Sequence, residues 1–192
     1  MVITIDTNIL LWGLRGVSKA GQEDMVVRAK AFFQYLHDRG AVIVLASECV
    51  AEYLVGEEEP VRREQQMADL KEQFVIIPYD IKAAGIAAQI RSDKTFLQSL
   101  KGDIGATRTC IKSDTVIAAT AKAFRKNGVD ELYSNDDTLR KIATKCGLSA
   151  KDLPSLDDMA TRTNPIAIAK KAGILPFDEI GAEGIEPPTS GL

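Results

Sequence analysis

Residues 1–13 read MVITIDTNILLWG, and this stretch decides the fold. Val2–Asp6 is a short, almost wholly apolar run closed by an acid. A run without polar alternation fits a strand covered on both faces, as in a parallel sheet. Thr7 and Asn8 follow, and either can cap a helix starting at Ile9; Asp6 is a third capping candidate. The run carries Asp6 and has no basic leader, which argues against a signal peptide. No stretch of the chain approaches the roughly 18–20 consecutive apolar residues of a membrane span.

Outward from this stretch, strand and helix alternate. Further strands are expected at Val42–Ala46, Phe74–Pro78 and Glu131–Ser134, with a weaker one at Leu148–Leu153. Helices are expected at Asp24–Arg39, Ser47–Val55, Pro60–Glu72, Ile81–Leu100, Ser113–Lys126 and Asp136–Cys146, the last ended by Gly147 as a C-cap. Such alternation predicts an α/β fold with a mainly parallel sheet. Leu153-Pro154 reads as a boundary, giving a main domain over 1–153 and an extension over 154–192. In that extension, one or two short helices are expected over Ser155–Ala172, broken at Asn164-Pro165, before a Gly- and Pro-rich end.

Composition removes several kinds of chemistry. His37 is the only histidine, so paired imidazoles are impossible; it lies in a polar helical stretch with no partner that would orient it. Neither GxGxxG nor GxxxxGK[ST] occurs. Cys49, Cys110 and Cys146 are far apart and form no CxxC pair, so they read as small buried residues of a reducing, cytoplasmic protein. Net charge is −3, but it is unevenly spread. Residues 91–151 hold 12 basic and 7 acidic side chains, whereas the flanking segments are each net −4. A basic segment fits a phosphate-rich substrate, and it equally fits an ordinary solvated surface.

Four acids stand where an α/β sheet places its ligands. Asp6 closes the first strand, and ligands bind at the carboxyl ends of such strands. Glu52 follows the second strand on a helix, among Val50, Ala51, Tyr53 and Leu54, where a surface role is hard to assign. Glu48 shares its helix face, but in the first turn, where the dipole alone favours an acid. Ser113 reads as an N-cap with Asp114 at the first helical position, ahead of the small apolar run Thr115–Ala121. Ser134-Asn135-Asp136-Asp137 closes the fourth strand and opens a helix that one of these residues must cap. Four carboxylates in one crevice repel unless a divalent cation neutralises them. Oxygen ligands without His or Cys select Mg²⁺ or Mn²⁺ over zinc.

The segments VITIDTNILL, SECVAEYL, SDTVIAATA and YSNDDTLRKIA, in this order and spacing, resemble the PIN-domain nucleases, in particular the VapC-like toxins of toxin–antitoxin pairs. The resemblance covers about the first 150 residues. It implies a three-layer α/β/α sandwich and a metal-dependent endoribonuclease. It places Asp6, Glu52, Asp114 and Asp136 at the catalytic and metal-binding positions, with Asn8 and Ser134 as polar support. Asp137 leaves the fourth acid ambiguous by one residue. An RNA substrate, an antitoxin protein and a homodimer are the implied partners, with Ile166–Leu175 a candidate contact segment. Arg108, Lys112 and Arg140 are candidates for holding RNA phosphates. The chain is longer than the compact toxins, with extra sequence around Glu57–Glu72, Lys94–Cys110 and after Pro154. Two rival readings are a non-catalytic RNA-binding or scaffold module and a processing nuclease that is not a toxin. A phosphohydrolase of the Asp-x-Asp type is disfavoured because Asn8 stands at the second acidic position.

Overall fold

In the computed structural model, which describes residues 1–124 and 129–163, five short strands form one parallel sheet. They are β1 (Val2–Ile5), β2 (Val42–Ala46), β3 (Val75–Ile77), β4 (Val129–Tyr133) and β5 (Ser149–Lys151). Their order is β3-β2-β1-β4-β5. The helices are α1 (Thr7–Leu10), α2 (Glu23–Asp38), α3 (Ser47–Val55), α4 (Pro60–Gln73), α5 (Ile81–Ser92), α6 (Lys94–Ile104), α7 (Arg108–Phe124), α8 (Asp137–Lys145) and α9 (Leu156–Thr163). A π-helical turn, Leu11–Arg15, continues α1. With helices on both faces, the architecture is a three-layer α/β/α sandwich. The chain divides after Pro154, and of the second unit only α9 is described.

The central strand explains itself. Ile3 and Ile5 of β1 have no exposed surface, and neither has Thr4 between them. Such a strand must be covered on both sides, which only a central position provides. From β1 the chain builds outward through β2 to β3, then returns to β1's other side for β4 and β5. The reversal of strand order falls between β1 and β4, where connections leave in opposite directions; in open α/β sheets the ligand crevice lies at such a reversal, outside the strand carboxyl ends. Ile5 pairs with Tyr133 there, and the Asp6 N–H reaches the Tyr133 carbonyl at 3.1 Å. Asp6 and Ser134 are therefore brought side by side at the mouth of that crevice.

Three expectations are corrected. The helix expected over Ile81–Leu100 is two helices, because the Asp93 carboxylate accepts the Phe96 N–H at 2.9 Å and caps a fresh start. The helix expected from Ser113 begins at Arg108, where Thr107 Oγ1 accepts the Cys110 N–H at 3.2 Å. Gly105, at φ 68°, ends α6 just before it in the left-handed conformation that suits glycine. Cys110 is exposed rather than buried, while Cys49 and Cys146 are buried. Asp136 caps α8 and Gly147 follows it with φ 75°, as its sequence implies. The continuation to Lys126, the break at Asn164-Pro165 and the segment Ile166–Leu175 lie outside the described residues.

Candidate active site

Two of the four acids sit at strand ends and do the same structural job. Asp6 Oδ1 accepts the backbone N–H groups of Asn8 at 2.6 Å and Ile9 at 3.2 Å, capping α1. Asp136 Oδ1 accepts those of Thr138 at 2.6 Å and Leu139 at 3.2 Å, capping α8. Ser134, wholly buried, links them: its hydroxyl donates to Asp6 Oδ2 and accepts the Asp136 N–H at 2.9 Å. Asn8 contributes its backbone; its side chain is exposed. Geometry separates the two neighbouring acids at this strand end. Asp137 is exposed and pairs with Arg140, whereas the charge of Asp136 bears on both Asp6 and Asp114.

The other two acids come from helix interiors. Glu52 lies in the second turn of α3, where the Thr7 hydroxyl donates to Oε2 and the Ser113 hydroxyl to Oε1. Ser113 also lies 3.3 Å from Glu48 Oε1, so both α3 acids face α7. Because α7 starts at Arg108, Asp114 is nearly two turns inside it, and neither capping nor the dipole accounts for an acid there. Asp114 Oδ2 is inaccessible to solvent and has no hydrogen-bond partner among the described residues.

The electrostatics follow from this crowding. Burial pushes the Asp114 carboxyl up to about 8, with the charges of Asp136, Asp6 and Glu52 adding to the effect. Burial also raises Asp6, to about 6; bonds from Ser134, Ile9 and Asn8 oppose the rise, and Asp136 reinforces it. Cys49 is raised as well, chiefly by burial, and stays a neutral thiol. The charges of the other three acids thus bear on Asp114, and that of Asp136 also on Asp6. Oxygens of Asp6, Asp136 and Glu52 are directed at hydroxyls and backbone N–H groups, whereas Asp114 Oδ2 meets no donor, and among the described residues no three His, Cys, Asp or Glu side chains close around one point.

The other sequence candidates fall elsewhere. Arg108 and Lys112 are exposed on α7. Arg140 is turned inward, donating from Nη1 to the Ser134 carbonyl at 2.7 Å and so bracing the strand end that carries the site. His37, with 85% of its side chain exposed, stands beside Asp38 on α2 and touches none of the acids. Thr7 and Ser113 are the residues that sequence reasoning missed as site members. The only signal was position, each being a hydroxyl next to an acid of the set.

About four-fifths of the chain has solved counterparts. It matches the crystal structure of VapBC2 from Rickettsia felis bound to a DNA fragment from their promoter, at 16% identity over 80% of this chain and 100% of that one, with a TM-score of 0.53. It matches the DNA-bound VapBC structure from Salmonella typhimurium at 18% identity, over 80% of this chain and 99% of that one, with a TM-score of 0.50. The chain has a VapC-like PIN fold. Neither a family model nor a curated protein matches it. The PIN fold puts Asp6 and Ser134 at its strand-order reversal, with α3 and α7 converging on them.

Proposed function

We propose that this chain is a metal-dependent endoribonuclease that hydrolyses RNA phosphodiester bonds, and that it is the toxin of a toxin–antitoxin pair. One observation carries the nuclease reading: a buried carboxylate oxygen of Asp114, without a partner, in the field of three further carboxylates. A group so placed is costly unless a cation joins it. The donor set is oxygen only, which fits a hard ion such as Mg²⁺ or Mn²⁺. Asp6, Asp114, Glu52 and Asp136 would hold it. When bound, the ion stabilises charge on the phosphate and acidifies the attacking water.

The chain's own residues supply the positioning. Ser134 ties Asp6 to the turn before Asp136, so the two strand ends are linked through one hydroxyl. Thr7 and Ser113 orient Glu52 from opposite sides. Hydroxyls that hold ligating carboxylates tune both their direction and their basicity. Asp114, whose carboxyl is pushed up to about 8 by burial, would have to give up its proton to ligate a cation.

The toxin reading rests on the two matched structures, both VapBC complexes. An antitoxin segment entering the crevice would bring a cation against the four acids. A non-catalytic scaffold has no use for an unpartnered buried acid, which argues against that rival. The test is cleavage of mixed RNA in Mg²⁺ or Mn²⁺. Cleavage lost with EDTA and with Asp114→Asn supports the reading. Equal cleavage by wild type and variant, or metal binding without cleavage of any RNA, overturns it.

A further inference from the structure

Helix α8 starts at the site and carries a second feature along its outer face. Asp137, Arg140, Lys141, Thr144 and Lys145 recur at helical spacing, while Leu139, Ile142 and Ala143 on the opposite face are buried. These polar residues, with Phe96 of α6 and Ala150 of β5, line an open groove of about 490 Å³. Lys145 Nζ sits 5.2 Å from the centre of the Phe96 ring and 2.9 Å from Asp93. Lys141 is fully on the surface. Arg140 forms the wall next to the site: the same guanidinium that lines the groove holds the Ser134 carbonyl, and Ser134 holds Asp6. Groove and carboxylates are thus joined through two hydrogen bonds.

We infer that the α6–α8 groove is the track for the single-stranded RNA flanking the scissile phosphate, with Lys141 and Lys145 on the backbone and Phe96 as a stacking surface for a base. This rests on the nuclease reading of the carboxylate site. A cationic groove with an aromatic floor is how proteins hold single strands without reading sequence. From Asp137 to Lys145 the stripe runs about 12 Å at the helical rise, enough to guide a strand beyond the cleavage point. Acids border the groove as well: Asp137 and Asp152 pair with Arg140 and Asp93 with Lys145, which leaves Lys141 without an ion pair among the described residues. An acidic protein segment is the rival occupant. The RNA assignment is favoured because the groove adjoins the acids that would cut, and because Lys145 over the Phe96 ring makes a joint cationic and aromatic surface that suits phosphate and base together.

The test measures binding of a labelled strand of about twelve nucleotides in Mg²⁺, using full-length Asp114→Asn protein so that the strand stays intact. Adding Lys141→Gln and Lys145→Gln is expected to weaken binding about tenfold at moderate salt, and to flatten the log–log salt dependence by about 1 to 1.5. Phe96→Leu keeps the apolar packing but removes the ring face, and is expected to weaken binding about fivefold with an unchanged salt slope. Lys141→Arg with Lys145→Arg restores affinity, which separates charge from fold. An unchanged affinity and slope in the glutamine variant, with RNA bound by its parent, overturns the track alone. A poly-glutamate peptide that binds the parent as tightly as RNA and suffers the same losses also overturns it, in favour of a protein partner. A parent that binds no RNA, together with a wild type that cleaves none, overturns the track and the nuclease reading at once.

Discussion

The turns after β1 and β4 and the interiors of α3 and α7 each contribute two acids to the same crevice, but for different reasons. Asp6 and Asp136 are helix caps with matching geometry, each taking two backbone N–H groups at 2.6 and 3.2 Å. The fold uses them whether or not any chemistry follows. Glu52 and Asp114 cap nothing. They stand in helices where small apolar neighbours would pack more cheaply, and Asp114 keeps an oxygen that meets no donor. Strand-end acids therefore have a structural use besides the proposed site role, whereas for Asp114 the proposed site role is what explains its place. Removing the first kind should cost fold and function together. Removing the second kind should separate the two.

The largest effect expected on that separation is on activity. Asp114→Asn should lower RNA cleavage by at least about a hundredfold, the scale on which a metal's stabilisation of the transition state is lost. The same variant should raise the melting temperature of the metal-free protein by several degrees, since about 1–3 kcal/mol of carboxylate crowding is relieved. Activity assays beside thermal melts in EDTA would check both. A variant that loses activity and stability together would place Asp114 with the caps.

Next in size is the converse. Asp6→Ala should be less stable than Asp6→Asn by about 1–2 kcal/mol through the lost cap, seen as a lower melting temperature in EDTA, since both variants remove the buried charge and only asparagine keeps the cap. If Asp6→Ala melts no lower than Asp6→Asn, the structural half of the comparison fails.

The pH dependence has a definite sign. Asp114 and Asp6 have folded pKa values above the ordinary carboxylate value, about 8 and about 6 against 3.8. The folded state therefore holds protons that the unfolded state has released. The metal-free protein should lose stability as pH rises from about 4 towards 8, and the loss should shrink on adding Mn²⁺. Melts in EDTA across that range test this; a flat or rising curve contradicts it. The smallest effect belongs to the hydroxyls. Thr7→Val and Ser113→Ala should each reduce cleavage about tenfold through a loosened Glu52, with the fold intact by circular dichroism.

How much of this was legible in the sequence follows the same division. Strand ends are written locally: apolar runs stop, an acid or serine follows, and a helix begins. β1, β2 and the caps at Asp6 and Asp136 could be read within a residue or so. Helix starts without an apolar boundary were not legible. Thr107 and Asp93 begin new helices by side-chain capping inside polar stretches, where periodicity runs straight through. Reading the helix from Ser113 puts Asp114 in a first turn, where an acid needs no further explanation, whereas it lies nearly two turns inside α7. Asp136 and Asp137 are equivalent as neighbours in sequence; only the direction of the first turn of α8, fixed by packing of Leu139 and Ile142, separates the buried role from the exposed one. Thr7 and Ser113 meet Glu52 across 45 and 61 residues, a pairing that no local pattern announces.

The central claim is that these four carboxylates form one cation site, and calorimetric titration of Mn²⁺ into the metal-free protein near pH 7.5 tests it most directly. The account predicts saturable binding that releases protons, visible as a heat that varies with the ionisation enthalpy of the buffer, and at least tenfold weaker binding by Asp114→Asn with that proton release lost. Mn²⁺ binding of equal strength and equal proton release in wild type and variant, or no binding by a folded wild type, would contradict it.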